Sequence, residues 1–206
     1  METNWASDHL QTIRTLMERS AIYRRALAPL MTLSGGLGLV GALVGYTAKL
    51  ESDRAFSLFW LAVALVTVGA VLLLVRKQAI KEREPFWSLP TRRVAFALLP
   101  AFLVGLAAGL HVILRGGAGS APYLAAAWLA AYGCALQSAG FFMQRGIKWF
   151  GWGCLGGACG VVLLLPVVPA LQSSIAAHGV MGAFFGLLHL AYGAYLHVTE
   201  KQRAGS

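Results

Sequence analysis

The chain has 206 residues, of which 58% are hydrophobic and 12% are charged, and its formal net charge is +9. Its mean hydropathy of +0.67 lies outside the usual balance of a water-soluble domain and excludes an ordinary soluble enzyme. Because the basic residues cluster between apolar stretches, the positive charge predicts contact with anionic lipid headgroups, and nucleic-acid binding is not needed to explain it.

The first predicted element is a cytoplasmic amphipathic helix at residues 1–25. Asp8 followed by Gln11 is typical of a capping box, and apolar residues recur every three or four positions beyond it. Basic residues border this apolar stripe. The helix is therefore expected to lie in the inner headgroup layer, or to dock onto a cytoplasmic partner or a second copy of this chain. The residues predicted to form this surface are Arg14, Met17, Arg24 and Arg25.

Within this segment, residues 13–20 read Ile-Arg-Thr-Leu-Met-Glu-Arg-Ser. This octapeptide resembles the IR-x-x-MERS segment that precedes the first span in uncharacterised bacterial inner-membrane proteins with six helices. The resemblance covers the octapeptide and the general hydropathy. It implies a bacterial inner (plasma) membrane setting. Because that family has no established activity, the resemblance implies neither a substrate nor catalytic residues.

A helix that crosses a bilayer needs about 20 mostly apolar residues at a rise of about 1.5 Å each. Six stretches without an internal Asp, Glu, Lys or Arg meet this requirement: 26–48, 55–75, 94–114, 121–143, 149–171 and 175–198. The sequence therefore predicts an all-α, polytopic membrane protein. Its six transmembrane helices are expected to form a compact bundle at residues 26–198, followed by a cytoplasmic tail at 199–206.

The orientation follows from the basic residues, because loops rich in lysine and arginine stay in the cytoplasm. Fourteen of the 17 lysines and arginines lie in the N-terminal segment, the second and fourth connections and the tail. This distribution predicts that both termini are cytoplasmic. Three aromatic residues, Tyr46, Trp60 and Tyr123, fall near the outer ends of their spans, as expected for side chains that anchor a helix at the membrane surface.

Glycine and proline predict how the spans pack. Glycine pairs four residues apart recur within them and favour close approach of neighbouring helices. Pro100 in the third span, and Pro166 with Pro169 in the fifth, remove backbone donors and are expected to kink or open their helices.

The sixth span carries three of the five histidines. At 100° per residue, these histidines share one face with several glycines, and that face should turn into the bundle because a polar side chain directed at acyl tails is costly. The glycines predicted to pack against a neighbouring helix are Gly182, Gly186 and Gly193.

The histidines allow three interpretations. His111 and His178 are predicted to lie at the same depth, where two facing imidazoles could hold haem or a metal ion. His189, with Tyr192 and Gln137, could line a cavity for a small neutral or weakly polar ligand. Alternatively, each histidine donates one hydrogen bond to an adjacent helix and holds the bundle together.

No catalytic motif occurs, so no catalytic residue is assigned and an enzyme is not expected. The favoured function is a non-enzymatic sensor or scaffold that couples the bundle to a cytoplasmic partner. The alternatives are a small permease or channel-like carrier that uses the histidine and glycine face, and a haem or metal-binding membrane redox protein. The favoured function requires no cofactor.

Overall fold

The computed structural model describes residues 27–83, 85–116, 119–143 and 145–204. Within these ranges every regular element is a helix and no strand occurs, which confirms the all-α class. The predicted amphipathic helix at 1–25, and with it the surface of Arg14, Met17, Arg24 and Arg25, lies outside the described residues.

The helices follow one another with short connections. In chain order they are α1 (Leu27–Thr47), α2 (Asp53–Lys81), α3 (Leu89–Arg115), α4 (Ser120–Ala139), α5 (Arg145–Leu164), a 3-10 turn (Pro169–Gln172), α6 (Ser174–Met181), a π-helical segment (Gly182–Leu188) and α7 (His189–Ala204). The last three elements are consecutive, and we call them together the composite helix.

Five helices in the described ranges are long and apolar enough to cross a membrane: α1, α2, α3, α5 and the composite helix. Their outward faces carry large apolar side chains, whose exposure to water would be unfavourable. Examples are Leu65, which is 75% exposed, and Leu114, which is 73% exposed. These helices indicate a multi-pass membrane protein.

The fourth predicted span forms α4, which is not among the five apolar helices. Its 20 residues include two tyrosines and a glutamine, and ten of them are buried. It contacts α2, α3, α5 and α6. α4 is therefore the central helix of the bundle, and a helix that packs mainly against protein needs less hydrophobicity than one that faces lipid.

Proline has a different effect in two helices. The predicted fifth span at 149–171 is too long at its end, because α5 stops at Leu164 and the chain then turns through Pro166 into the short 3-10 turn that begins at Pro169. Proline cannot donate the backbone hydrogen bond that would continue the helix. Pro100, by contrast, lies inside α3 and does not end it.

The buried core forms two main clusters, and each surrounds one histidine. One cluster includes Leu129 of α4 and Phe150 of α5, and the Phe150 ring contacts His189. The other includes Phe56 of α2, whose ring contacts His178. His178 and His189 are therefore the polar centres of these two clusters, while His197, the third histidine of the composite helix, is exposed.

Candidate functional site

His189 joins the composite helix to α4. Its side chain is 2% exposed. Its Nδ1 lies 2.8 Å from the carbonyl oxygen of Phe184, and its Nε2 lies 2.8 Å from the hydroxyl of Tyr132. Because a carbonyl only accepts, Nδ1 carries the proton and the Tyr132 hydroxyl donates to Nε2. Both ring nitrogens are engaged.

The aromatic residues around His189 fix the orientation of its ring. Tyr132 and Phe185 stack on it, with ring centroids 5.5 Å and 5.9 Å away, while Phe150 meets it edge-on at 4.7 Å. Phe184, which supplies the acceptor carbonyl, lies inside the π-helical segment that directly precedes His189. Such wide turns expose backbone carbonyls to side chains and are frequent at functional sites.

His178 makes a corresponding link near the start of the composite helix, and its side chain is fully buried. The indole Nε1 of Trp60 donates to His178 Nδ1 over 3.0 Å. His178 Nε2 lies 3.2 Å from the carbonyl oxygen of Leu50, to which it donates. A Cβ at Gly45 would overlap this imidazole, so glycine on α1 makes room for the ring.

The prediction that Trp60 anchors the helix at the membrane surface is wrong. Its indole is 3% exposed and serves as a hydrogen-bond donor inside the bundle. Tyr46 and Tyr123, the other two residues of that group, are 60% and 57% exposed. Hydropathy places a residue along a helix, but it does not determine which face of the helix packs inward.

The predicted haem or metal pair, His111 and His178, does not present two free imidazoles to one ligand. His111 is exposed on α3, while both nitrogens of His178 are used by Trp60 and Leu50. A metal ion or haem iron bound by His178 would first have to displace one of these two hydrogen bonds. No group of three or more His, Cys, Asp or Glu side chains suited to a metal ion occurs in the described part of the chain.

Each of the three residues predicted to line a ligand cavity makes a different kind of contact. Gln137 donates its side-chain amide to the carbonyl oxygen of Lys148 over 2.6 Å and so ties α4 to α5. Tyr192 packs its ring on Phe150, 5.2 Å between centroids. Its hydroxyl is buried without a hydrogen-bond partner among the described residues, close to the backbone of Gly146.

The glycines of the composite helix lie against α1. A Cβ at Gly186 would come within 3.0 Å of the Leu39 backbone, and one at Gly193 within 3.0 Å of the Thr32 backbone. A Cβ at Gly182 would lie 2.6 Å from the Ala42 Cβ. The two helices therefore approach each other at backbone distance along this face, in the manner of small-residue interfaces in membranes.

Two polar residues of this framework were not predicted from the sequence. Tyr132 lies in the middle of its span, away from the membrane surface where tyrosine is common. That unusual position could have indicated from the sequence that its hydroxyl has a partner inside the bundle. Asp53 accepts hydrogen bonds from the backbone of Ser120 and Ala121, over 2.7 Å and 3.1 Å, and from the Ser174 hydroxyl over 3.1 Å. It caps α4 from a different helix, because Gly119 before α4 has no side chain to do so.

Comparison of the chain with family models, curated proteins and solved structures finds no match in any of the three.

Proposed function

We propose that this chain is a non-enzymatic, multi-pass membrane module of the sensor or scaffold type, with α4 as a sixth span and both termini in the cytoplasm. The observation that carries the proposal is the use of both buried histidines as links within the bundle. All four ring nitrogens of His178 and His189 are engaged by protein groups. Hydrogen bonds of this kind hold membrane helices together.

Counting α4 as a span supports the orientation. With six crossings, the basic N-terminal segment, second and fourth connections and tail all lie on one side, as the charge distribution requires. With five crossings they could not. The setting that fits is the inner membrane of a bacterium.

The route from the cytoplasm to the polar interior is short. α1 follows the basic N-terminal segment directly, and it packs backbone to backbone on the composite helix through Gly35, Gly38 and Gly186. At its far end Gly45 contacts His178. A shift of α1, caused by a partner bound to the preceding segment, would therefore move the elements that contact both histidines. This rigid connection is what a coupling module requires.

Site-specific photo-crosslinking in intact cells tests the proposal. A photoreactive residue at Met17, on the apolar stripe, is expected to capture one cytoplasmic protein or a second copy of this chain. The same residue at Arg19, on the opposite face of the predicted helix, is the matched control and should capture neither. Equal labelling from both positions, or none from Met17, would refute coupling through this surface.

A small carrier is the second candidate, and the buried Tyr192 hydroxyl favours it. A polar group without a partner in an apolar interior can receive a hydrogen bond from a ligand. The two functions make opposite predictions for Tyr192→Phe in proteoliposomes. A carrier would lose substrate uptake, whereas the sensor or scaffold function requires no flux from the wild type or the variant. An absorption spectrum with metal analysis tests the redox alternative.

A further inference from the structure

An open cleft of about 760 Å³ lies at the end of the bundle where α2, α4 and α6 begin and α3 ends. The sequence predicts this end to be the outer one. The cleft is large enough for a small ligand or a lipid headgroup. Its charged lining consists of Glu51, Asp53, Arg54 and Arg115.

These four charged residues have different roles in the structure. The carboxylate of Asp53 accepts three hydrogen bonds from α4 and α6 and is committed to the fold. Arg54 uses its Nε–H on the carbonyl oxygen of Ile113, over 2.8 Å, at the end of α3. A guanidinium has five N–H donors, so four remain on its Nη atoms.

Glu51 and Arg115 are the other two charged residues, and both are exposed. Neither forms an ion pair within the part of the chain that the structure describes, although two charges of each sign line one cleft. A carboxylate and a guanidinium that line one cleft without pairing with each other match a ligand that carries a positive and a negative group at separate positions. Because Asp53 is committed to the fold, the charges left for a ligand are the guanidinium groups of Arg54 and Arg115 and the carboxylate of Glu51. A ligand with an anionic and a cationic group at separate positions uses both signs, which a simple anion does not.

One wall of the same cleft is apolar. Its lining includes Val112, Ile113 and Leu114 of α3 and Ile175 of the composite helix. Leu114 is 73% exposed, and Leu110, one turn earlier on α3, is 45% exposed, so the wall continues onto the surface that faces the bilayer. A ligand that matches both parts has a zwitterionic head and an apolar tail.

We infer that this cleft binds the phosphoethanolamine headgroup of a phospholipid in the adjoining leaflet. The guanidinium groups of Arg54 and Arg115 hold the phosphate, which guanidinium binds with matched, charge-assisted hydrogen bonds. Glu51 accepts hydrogen bonds from the ammonium group, and the acyl chains lie along Leu114 and Leu110. The cleft thereby selects one lipid class from the bilayer around it.

The test places the full chain in nanodiscs with equal amounts of phosphatidylethanolamine, phosphatidylcholine and phosphatidylglycerol, followed by native mass spectrometry of the retained lipids. The wild type is expected to retain phosphatidylethanolamine preferentially. Arg115→Gln should lower retention of this lipid by about three- to tenfold, because a charge-assisted contact is lost. Lys49→Gln, at the same end but outside the cleft lining, is the matched control and should retain the wild-type preference.

Glu51→Gln separates the two halves of the headgroup. It should weaken the preference for phosphatidylethanolamine over phosphatidylcholine, because a neutral amide oxygen accepts a weaker hydrogen bond from the ammonium group than a carboxylate does, and choline has no N–H to donate. Both lipids should remain bound through phosphate. Circular dichroism of each variant checks that it folds. Equal retention of the three lipids by the wild type, or an unchanged preference in both Arg115→Gln and Glu51→Gln, would overturn the inference.

A soluble headgroup distinguishes the source of the ligand. Glycerophosphoethanolamine, titrated into delipidated protein in detergent, is expected to bind far more weakly than the lipid because it lacks the acyl chains that contact the apolar wall. Binding of equal strength would overturn the assignment to a lipid and identify a soluble phosphodiester as the ligand of this cleft.

Discussion

The contact between α1 and the composite helix predicts opposite effects for two neighbouring substitutions. A Cβ at Gly38 would lie 2.6 Å from the carbonyl carbon of Phe185 and 3.1 Å from the backbone nitrogen of Gly186, whereas a Cβ at Gly36 would meet nothing within 4 Å. Over-packing costs about 1–3 kcal/mol. Alanine in place of glycine within a helix gains about 0.5–1 kcal/mol.

Gly38→Ala should therefore destabilise the bundle, because backbone atoms of the composite helix cannot move away as a flexible side chain could. Gly36→Ala should leave stability unchanged or raise it by up to about 1 kcal/mol. The assay is unfolding by sodium dodecyl sulfate in mixed micelles, followed by far-ultraviolet circular dichroism. Equal midpoints for the two variants, or a higher midpoint for Gly38→Ala, would refute the close approach of these helices.

The remaining predictions use the same unfolding assay or a topology reporter. Tyr192→Phe should leave stability unchanged or raise it, because the hydroxyl it removes is buried without a partner among the described residues; a loss above about 1 kcal/mol would reveal a missing hydrogen bond. Asp53→Asn should cost about 1 kcal/mol through the weakened cap of α4, and Glu51→Gln beside it should cost nothing measurable; equal losses would argue against the cap. A reporter fused after Ser206 should be active only in the cytoplasm, and periplasmic activity would contradict six spans.

Hydropathy was sufficient to predict the helices, because burial in lipid requires long apolar stretches whatever the neighbours are. It was less informative about their ends and their neighbours. Pro166 ended α5 where a kink was expected, and α4 has the composition of a helix that packs mainly against protein. The π-helical segment has no counterpart in a hydropathy pattern, since it reflects local packing around the Phe184 carbonyl.

The candidate site was predictable only in part. The helical periodicity placed the three histidines of the sixth span on one inward face, because an imidazole facing lipid is costly. His178 and His189 are buried, as predicted, but His197 is exposed. Their partners were not predictable: Trp60 lies 118 positions from His178, and Tyr132 lies 57 positions from His189. Which helices meet is determined by shape and small residues across the whole bundle, and no local pattern encodes it.

The most direct test of the account is the protonation pattern of the two buried imidazoles, measured by solid-state nitrogen-15 NMR on histidine-labelled protein in bilayers. The hydrogen bonds require opposite tautomers: the proton is on Nε2 in His178, which donates to Leu50, and on Nδ1 in His189, which donates to Phe184. Among the signals of the five histidines, those of His178 and His189 are expected to show these two different tautomers. Tyr132→Phe should shift the His189 Nε2 signal alone. Two identical tautomers, or nitrogen shifts typical of metal-bound imidazole, would contradict the role of these histidines as links that hold the bundle together.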